Sequence, residues 1–462
     1  MIAFWDVLKR SENGKLMEER EFDLLVGKTA KKIIKKYDIK FNPEEIIPSD
    51  DSLIDRLFDA AVDFFLDVGV YSIDTGRVIK FNREELFESL EAGTDQIVWG
   101  EGRDQRTMFN RRVEDPRPPF CNFTLVGTPF PEDQFLQACM SVAKERLADC
   151  FSGPSLLNTL GGIEVRSGSP AEIEAAIYDI GKRREAACRV GHPGKGIYTM
   201  VSAAEKADAM IAAARPEFGA LPRDGILCGG IAEMKVDNDR MKKISFLRRT
   251  TYATGGLFGP LMGGYAGGPE GTSMVLIAHN FLGRLVFENE YTANFPIDIH
   301  QVCNTTRQML WLVSTAHQAL ARNTHLLHFD STFIAAGPCT EMACYEAIAH
   351  GVASTVSGAN LAPAATARNK YPERCTGMEG RMVAEAGHTA ARMGMSRKEA
   401  NVLIKKILSK YEDRINDAPI GKKFSECYDL ERVEPTREYL DLYSRVKKEV
   451  GSWGLDYSIH FH

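Results

Sequence analysis

The chain has 462 residues, with 57 Lys and Arg against 63 Asp and Glu, and a formal net charge of −6. This near balance gives no broad basic field, so the sequence argues against nucleic acid or an anionic membrane as a partner. A hydrophobic share of 44% and a charged share of 26% match an ordinary globular protein with a large core and exclude disordered and collagen-like classes.

The cysteine pattern and the N-terminal sequence predict the compartment. The ten cysteines form no C-x-x-C pair and no cluster typical of a secreted scaffold, which indicates reduced thiols. The first residues mix acidic and basic side chains and lack the apolar segment of a signal peptide. The best candidate for a membrane span, residues 57–71, is interrupted by three aspartates. We expect a cytoplasmic protein.

The first 90 residues show helical rather than alternating periodicity. Apolar residues share one face in segments 17–38 and 49–69, and a shorter helix follows Asn82. Residues 1–90 are therefore predicted to form a helical region that packs on the rest of the chain or mediates oligomerisation.

From residue 96 onward, short β-branched or aromatic runs alternate with longer amphipathic ones. This alternation predicts βα units and a parallel sheet, with functional side chains in the turns after the strands, that is after Ile197, Ser245, Ile299 and Phe329. The predicted core covers 91–395 and exposed C-terminal helices cover 396–462. The predicted strands are residues 120–126, 162–166, 196–201, 243–247, 274–286, 297–302 and 326–335, and the helices between them are 132–150, 170–190, 304–322 and 340–356.

A dedicated metal site is not predicted. His325 and His328 lie three apart in a predicted strand and point to opposite faces. His279 and His317 stand isolated in the sequence. We therefore expect core or surface histidines and no bound metal.

Glycine-rich and strand-to-helix segments are the remaining candidates for binding. Residues 255–268 lack the spacing of a phosphate-binding loop, so their glycines serve tight turns and close backbone approach, either to a helix or to a large flat cofactor. Glu341 lies at a predicted helix start, where it stabilises its own helix or meets a ligand. In the same way Asn304 is a predicted N-cap, and Arg307 lies within reach of an anion. Pattern alone stops at a cytosolic α/β enzyme of unassigned chemistry.

The segment GHPGKGIY at 191–198 resembles the strand of the methanogen monomethylamine methyltransferases that reads RPGMGV and ends in pyrrolysine. The resemblance extends in order from about residue 45 to 450. It recurs at 69–75, 102–104, 263–268 (GGYAGG), 304–307 (NTTR), 336–342 (AGPCTEM), 376–382 (TGMEGRM) and 426–429 (ECYD).

The resemblance implies a fold and an activity. The fold is an α/β TIM (β/α)8 barrel with additional N-terminal and C-terminal helices, in a homo-oligomer that is hexameric in the methylamine enzyme. The activity passes a methyl group from an amine to Co(I) of the cobalamin on a separate small corrinoid protein. By resemblance, Tyr265 with Gly264 and Gly267 would line the corrinoid site. Asn304 and Glu341 are assigned to the same site.

The sequence departs from the family where the chemistry occurs. By resemblance, Tyr198 occupies the pyrrolysine position, Leu227 and Leu257 replace two glutamates, and Ser331 replaces a glutamine. Without the imine and both carboxylates, demethylation of a primary amine is not expected.

A quaternary ammonium leaves as a neutral tertiary amine and needs neither acid nor covalent capture, so it is the preferred donor, with Tyr198 supplying a cation–π contact. Asp330 either meets the cation or faces outward between the strand and the helices, and Arg307 is a candidate for binding a donor carboxylate. Two alternatives stay open: a methoxylated donor with Tyr198 as proton source, and an inactive paralogue that only binds the corrinoid protein.

Overall fold

The computed structural model describes residues 2–201, 205–363 and 371–458. The N-terminal elements in chain order are α1 (Phe4–Asn13), β1 (Lys15–Leu16), α2 (Glu19–Lys36), α3 (Asp51–Val68), β2 (Val70–Ser72), β3 (Arg77–Ile79), α4 (Arg83–Glu91), β4 (Gln96–Trp99) and β5 (Arg106–Phe109).

The barrel elements follow. They are β6 (Asn122–Phe130), α5 (Glu132–Ala143), β7 (Cys150–Leu156), β8 (Thr159–Leu160), β9 (Ile163–Glu164), α6 (Pro170–Arg189), β10 (Gly196–Ile197), α7 (Ala207–Ala213), β11 (Gly225–Gly229), β12 (Lys235–Val236), α8 (Asn238–Leu247), β13 (Ala253–Phe258), β14 (Leu261–Met262), α9 (Pro269–Val286), β15 (Tyr291–Asn294), β16 (Ile297–Asp298), α10 (Arg307–Asn323), β17 (Leu327–Thr332), α11 (Glu341–Val356), β18 (Asn360–Pro363) and α12 (Gly377–Arg392). The C-terminal elements are α13 (Arg397–Leu408), α14 (Phe424–Cys427), β19 (Tyr428–Asp429), β20 (Glu434–Pro435) and α15 (Arg437–Gly451).

Parallel strands form a closed barrel. The hydrogen-bonded orders are β6-β7-β10 and β11-β13-β15-β17-β18, and all these pairs are parallel. The two sheets join where Met200 N–H donates to the Gly225 carbonyl at 2.9 Å and where Leu361 N–H donates to the Phe120 carbonyl at 2.9 Å. Each strand is followed by a helix, so the described residues build the TIM (β/α)8 barrel that the resemblance implied.

The β4–β5 hairpin closes the N-terminal end of the barrel. The fully buried Trp99 ring lies 5.0 Å from the ring of Tyr291 and 5.8 Å from that of Tyr198, measured between centroids. Gly225 starts β11 beside this ring, where a Cβ would come within 2.9 Å of the indole. Among the described residues, Trp99 therefore covers the barrel interior at the N-terminal ends of the strands.

N-terminal helices cover the outer helices of the barrel. Asp50 caps α3 by accepting from Ser52 N–H at 2.9 Å. The apolar face of α3 packs on α9 and α10, with the Phe58 and Phe65 rings both against Phe281. Helix α1 and the small sheet β1-β3-β2-β12 were not predicted from the sequence.

Two predicted strands are helices. Segment 274–286 lies in α9, which is buried on all sides because α3 and α4 cover its outer face, so its continuous apolar run imitates a buried strand. Segment 243–247 lies in α8, which begins at an Asp237 cap and buries Met241, Ile244 and Leu247 at helical spacing. The expectation of a functional turn after Ser245 is therefore wrong.

Two other strand predictions were misplaced, and two boundaries stay untested. Segment 162–166 belongs to the β8–β9 hairpin, and the barrel strand before α10 is β15, a few residues earlier than the predicted 297–302. The division of the chain at residues 90 and 395 stays a prediction. No helix within the described ranges is both long and apolar enough to cross a membrane.

Candidate active site

A cavity of about 210 Å³ lies inside the barrel toward the C-terminal ends of the strands. Four residues predicted from the resemblance line it together: Tyr198, Leu227, Leu257 and Ser331. Sequence reasoning had missed the remaining lining residues, which are Thr124, Val126, Gly127, Ala293, Phe295, Ile297 and Phe333. None of these described lining residues carries a charge.

Tyr198 follows the short strand β10 and forms part of the aromatic floor. Its ring lies 5.4 Å from the Tyr291 ring and 5.1 Å from the Phe329 ring, the latter edge to face. The Tyr198 hydroxyl is buried, inaccessible to solvent and without a hydrogen-bond partner among the described residues. Burial raises the pKa of Tyr198 well above its usual value. The phenol stays protonated, and the ring rather than the hydroxyl is offered to the cavity.

Phe295 and Phe333 form an aromatic wall above this floor, with ring centroids 5.9 Å apart. Phe295 fits because Gly259 has no side chain: a Cβ there would come within 2.4 Å of the Phe295 ring. Phe333 lies two residues beyond Ser331, and the period-2 alternation of a strand could have revealed it. Phe295 was not identified as a lining residue because the strand that precedes it, β15, was predicted at 297–302 instead of Tyr291–Asn294.

Asn304 holds the end of β17 in place. Its side-chain amide donates to the Ser331 carbonyl at 2.7 Å and accepts from Phe333 N–H at 2.8 Å, while its backbone N–H donates to the Phe333 carbonyl at 2.9 Å. The side chain is fully buried. The sequence prediction of Asn304 as the N-cap is therefore wrong, because Thr306 caps α10. Asn304 supports two residues of the cavity wall, and its assignment to the corrinoid site stays a prediction.

Comparison with known proteins identifies the family. A family model described as monomethylamine methyltransferase MtmB matches residues 2–455. The chain belongs to this family. It is 30% identical over 456 residues to monomethylamine methyltransferase MtmB3 of Methanosarcina barkeri (strain Fusaro), with 98% of each chain covered. It is 29% identical over 458 residues to MtmB of Methanosarcina mazei, again with 98% of each covered.

Solved structures agree with this assignment. The crystal structure of the M. barkeri monomethylamine methyltransferase matches with a TM-score of 0.94 at 30% identity, covering 98% of both chains. The structure of its hydroxylamine complex matches with the same values. The present chain is therefore a methyltransferase of the MtmB family with a TIM-barrel fold.

Arg307 and Asp330, predicted to contact the donor, do not line the cavity. Arg307 forms a bidentate ion pair with Glu412 at 2.9 and 3.0 Å and donates to the Pro43 carbonyl. Asp330 is buried on the helix-facing side of β17, because successive residues of a strand point to opposite faces. Asp330 therefore takes the outward orientation, one of the two that the sequence left open, and a role of Arg307 toward a donor carboxylate stays a prediction.

The residues predicted for the corrinoid lie outside the cavity. Glu341 is exposed at the start of α11, with its carboxylate 3.6 Å from Arg445 of α15. Gly264 and Gly267 belong to a turn in which Gly263 N–H donates to the Gly267 carbonyl and both Gly263 and Gly267 have positive φ. Tyr265 at its tip is 53% exposed. Their role toward a corrinoid stays a prediction.

The histidines differ in one respect from expectation. His317, predicted to be isolated, lies with its Nδ1 2.9 Å from Nδ1 of His328, and both side chains are buried. Across residues 2–201, 205–363 and 371–458, no group of three or more His, Cys, Asp and Glu side chains is arranged to hold a metal ion.

Proposed function

We propose that this MtmB-family methyltransferase moves a methyl group from a small quaternary ammonium donor to a corrinoid carried by a separate small protein, without pyrrolysine. The observation that carries this proposal is the cavity lining: three aromatic rings, from Tyr198, Phe295 and Phe333, and no charged side chain among the described lining residues. Aromatic enclosures of this kind recognise quaternary ammonium groups, with about 0.5–2 kcal/mol from each desolvated cation–π contact.

The leaving group explains why such a cavity suffices. A quaternary ammonium departs as a neutral tertiary amine, so no acid is needed at Tyr198, whose protonated hydroxyl is shielded from the cavity. A reduced corrinoid supplies a strong cobalt nucleophile that takes the methyl group by in-line displacement. The cavity walls hold the donor with one methyl group toward the open end of the barrel and exclude water around it.

Monomethylamine, the substrate named for the relatives, fits this cavity poorly. By resemblance, Leu227 and Leu257 stand where the family has glutamates, and both leucines line the cavity. A primary ammonium brings several N–H donors, and burying them against leucines without acceptors costs free energy. A trimethylammonium group has no such donors.

A methoxylated donor is the weaker alternative. Its departing oxygen would need a proton, and the one phenol in the lining, Tyr198, keeps its hydroxyl inaccessible with a pKa above the usual value because of burial. Ser331 and Thr124 offer only hydroxyls, which are far weaker acids than a phenol.

The partner would approach the open end of the barrel. Tyr265 is exposed at the tip of the 263–267 turn, and the exposed Ile299 lies beside it, where a Cβ on Gly263 would come within 2.7 Å of the Ile299 side chain. This apolar rim, with its close backbone approach, fits the flat apolar edge of a corrinoid. A homo-oligomer, hexameric by resemblance, is part of the same proposal.

The donor is tested by anaerobic spectroscopy of Co(I) cobalamin, or a corrinoid protein, mixed with the enzyme and a panel of donors. The panel contains tetramethylammonium, other quaternary and tertiary amines, monomethylamine and methoxylated aromatics. We expect conversion to methylated cobalamin with quaternary amines alone. Conversion with monomethylamine would overturn the proposed roles of Tyr198, Leu227 and Leu257, and no conversion with any donor would favour an inactive paralogue.

Phe333→Leu provides a matched test of the aromatic wall, with Phe65→Leu in α3 as the control. Both residues are aromatic, but only Phe333 lines the cavity. Phe333→Leu should lower kcat/KM for a quaternary donor by about 2-fold to 30-fold, the equivalent of one cation–π contact. Phe65→Leu should leave it unchanged. Equal effects would remove the argument for an aromatic enclosure.

A further inference from the structure

Strand β17 presents different chemistry on its two faces. Phe329 and Ser331 point into the barrel, where Phe329 packs on Tyr198 and Ser331 lines the cavity. His328, Asp330 and Thr332 alternate with them and point to the surrounding helices. All three outward residues are at most 3% exposed. The strand that supplies the cavity wall is therefore backed by buried polar side chains.

Asp330 connects β17 to both neighbouring helices. Its carboxylate accepts from the Ser354 hydroxyl of α11 at 2.5 Å. One carboxylate oxygen lies 3.4 Å from Nε2 of His317 in α10, and the other lies 3.4 Å from Nε2 of His350 in α11. Both are close electrostatic contacts without hydrogen-bond geometry. These side chains are fully buried.

The contacts continue along the strand in both directions. His317 reaches His328 through paired Nδ1 atoms at 2.9 Å, and His350 reaches the Thr332 hydroxyl through Nδ1 at 2.9 Å. This series of side-chain contacts therefore extends over five positions of β17, from His328 to Thr332. We call these five side chains, His317, His328, Asp330, His350 and Thr332, the β17 cluster.

The charge of Asp330 ties β17 to specific positions on α10 and α11. Burial opposes its ionisation, but the facing His350 and His317 and the Ser354 hydroxyl outweigh burial and keep the pKa of Asp330 below its usual value. A buried carboxylate must be compensated by neighbours in fixed positions, whereas apolar packing tolerates small displacements. A shift of β17 along its axis would break contacts to α10 and α11 together.

We propose that Asp330 is a positioning residue. Through His317 and His350 it fixes the position of β17 along the strand axis, and with it the positions of Phe329 and Ser331 at the cavity. The inference rests on the proposed function only in taking the cavity as the donor site. Asn304 holds the same strand end independently, through hydrogen bonds with the Ser331 carbonyl and Phe333 N–H.

The test uses Asp330→Asn in the full-length protein. This variant keeps the shape of the side chain and the contact with Ser354 but removes the charge that faces two imidazoles. Ser354→Ala is a milder second variant in case Asp330→Asn does not fold. Tyr439→Phe is the control, because it removes a buried hydroxyl that donates to the Glu379 carboxylate, outside the cavity lining.

Two readouts separate positioning from general destabilisation. The first is hydrogen exchange of the peptide covering 327–336, which we expect to become at least tenfold faster in Asp330→Asn and unchanged in Tyr439→Phe. The second is the ratio of kcat/KM for tetramethylammonium to that for a bulkier quaternary amine. A displacement of about 1 Å changes rates by up to about 100-fold, so this ratio should shift by about tenfold. A loss of folded protein alone would lower kcat/KM for both donors equally and leave their ratio unchanged.

Each outcome decides a separate claim. If exchange and donor ratio in Asp330→Asn and Ser354→Ala both match those of Tyr439→Phe, the β17 cluster serves stability only and the inference is overturned. If wild-type protein turns over no donor, the proposed function fails, and exchange at 327–336 alone decides whether Asp330 positions the strand.

Discussion

Replacing Tyr198 by Phe tests which part of this side chain acts on the donor. The hydroxyl is buried with no hydrogen-bond partner in the described part of the chain, and an unsatisfied buried hydroxyl costs about 1–3 kcal/mol. Removing it should leave stability unchanged or raise it by about 1 kcal/mol. Unfolding entropy of about 2.1 cal/mol/K per residue over this chain makes that about 1 °C in Tm. Because the ring remains, kcat/KM for a quaternary donor should stay within about threefold of wild type.

Tyr198→Ala removes the ring and should behave differently. The ring packs on Trp99, Tyr291 and Phe329, so its loss should cost about 3–5 kcal/mol of stability. Loss of the cation–π contact should lower kcat/KM by about 2-fold to 30-fold beyond the loss of folded protein. Phe65→Ala in α3 is the control for a cavity of similar size away from the donor.

The assay combines thermal unfolding with anaerobic methyl transfer to Co(I) cobalamin, followed by its absorbance. The result that would refute the reasoning is a more than tenfold loss of kcat/KM in Tyr198→Phe at unchanged Tm. The hydroxyl would then act on the donor, and the claim that the ring alone contributes would be refuted.

Two further changes test the supports of the cavity, and a third tests Glu233, a buried carboxyl outside the cavity lining. Asn304→Ala removes hydrogen bonds to the Ser331 carbonyl and to Phe333 N–H, so it should cost about 1–3 kcal/mol in unfolding and raise KM; an unchanged KM would contradict its supporting role. Gly259→Ala should push the Phe295 ring toward the cavity and lower kcat/KM for bulky donors more than for tetramethylammonium, as a panel of donor sizes would show. Burial raises the pKa of Glu233 from 4.5 to about 7, so wild-type stability should fall as pH rises between these values. Glu233→Gln should remove that fall and be about 2–3 kcal/mol more stable at pH 8.5, measured by denaturation at pH 5.5 and 8.5.

The convergence of Tyr198, Leu227, Leu257 and Ser331 was accessible from the sequence. Tyr198 follows β10, and Leu227, Leu257 and Ser331 lie within β11, β13 and β17, all strands of one parallel barrel whose C-terminal ends share one opening. The resemblance supplied their positions and the βα alternation supplied the geometry. Phe333 was accessible in principle from its two-residue spacing to Ser331.

Arg307 and Asp330 show where sequence reasoning was insufficient. Their residue types suit ion binding, but the groups that neutralise them come from distant parts of the chain. Glu412 lies 105 residues from Arg307, and His350 and Ser354 reach Asp330 from α11. A pattern that reads one segment at a time has no information about such partners.

The sequence by itself determined the class of the protein: the alternation of strands and helices, the helical N-terminal region and, through the family resemblance, the uncharged residues Tyr198, Leu227 and Leu257 at the expected site. Tertiary structure alone decided which polar groups are free to act. Helices α3 and α4 bury the outer face of α9, which is why α9 is apolar on every side. Trp99 from the β4–β5 hairpin covers the N-terminal end of the barrel. Periodicity encodes which face of an element is buried, but the identity of the neighbour that buries it depends on contacts between distant segments.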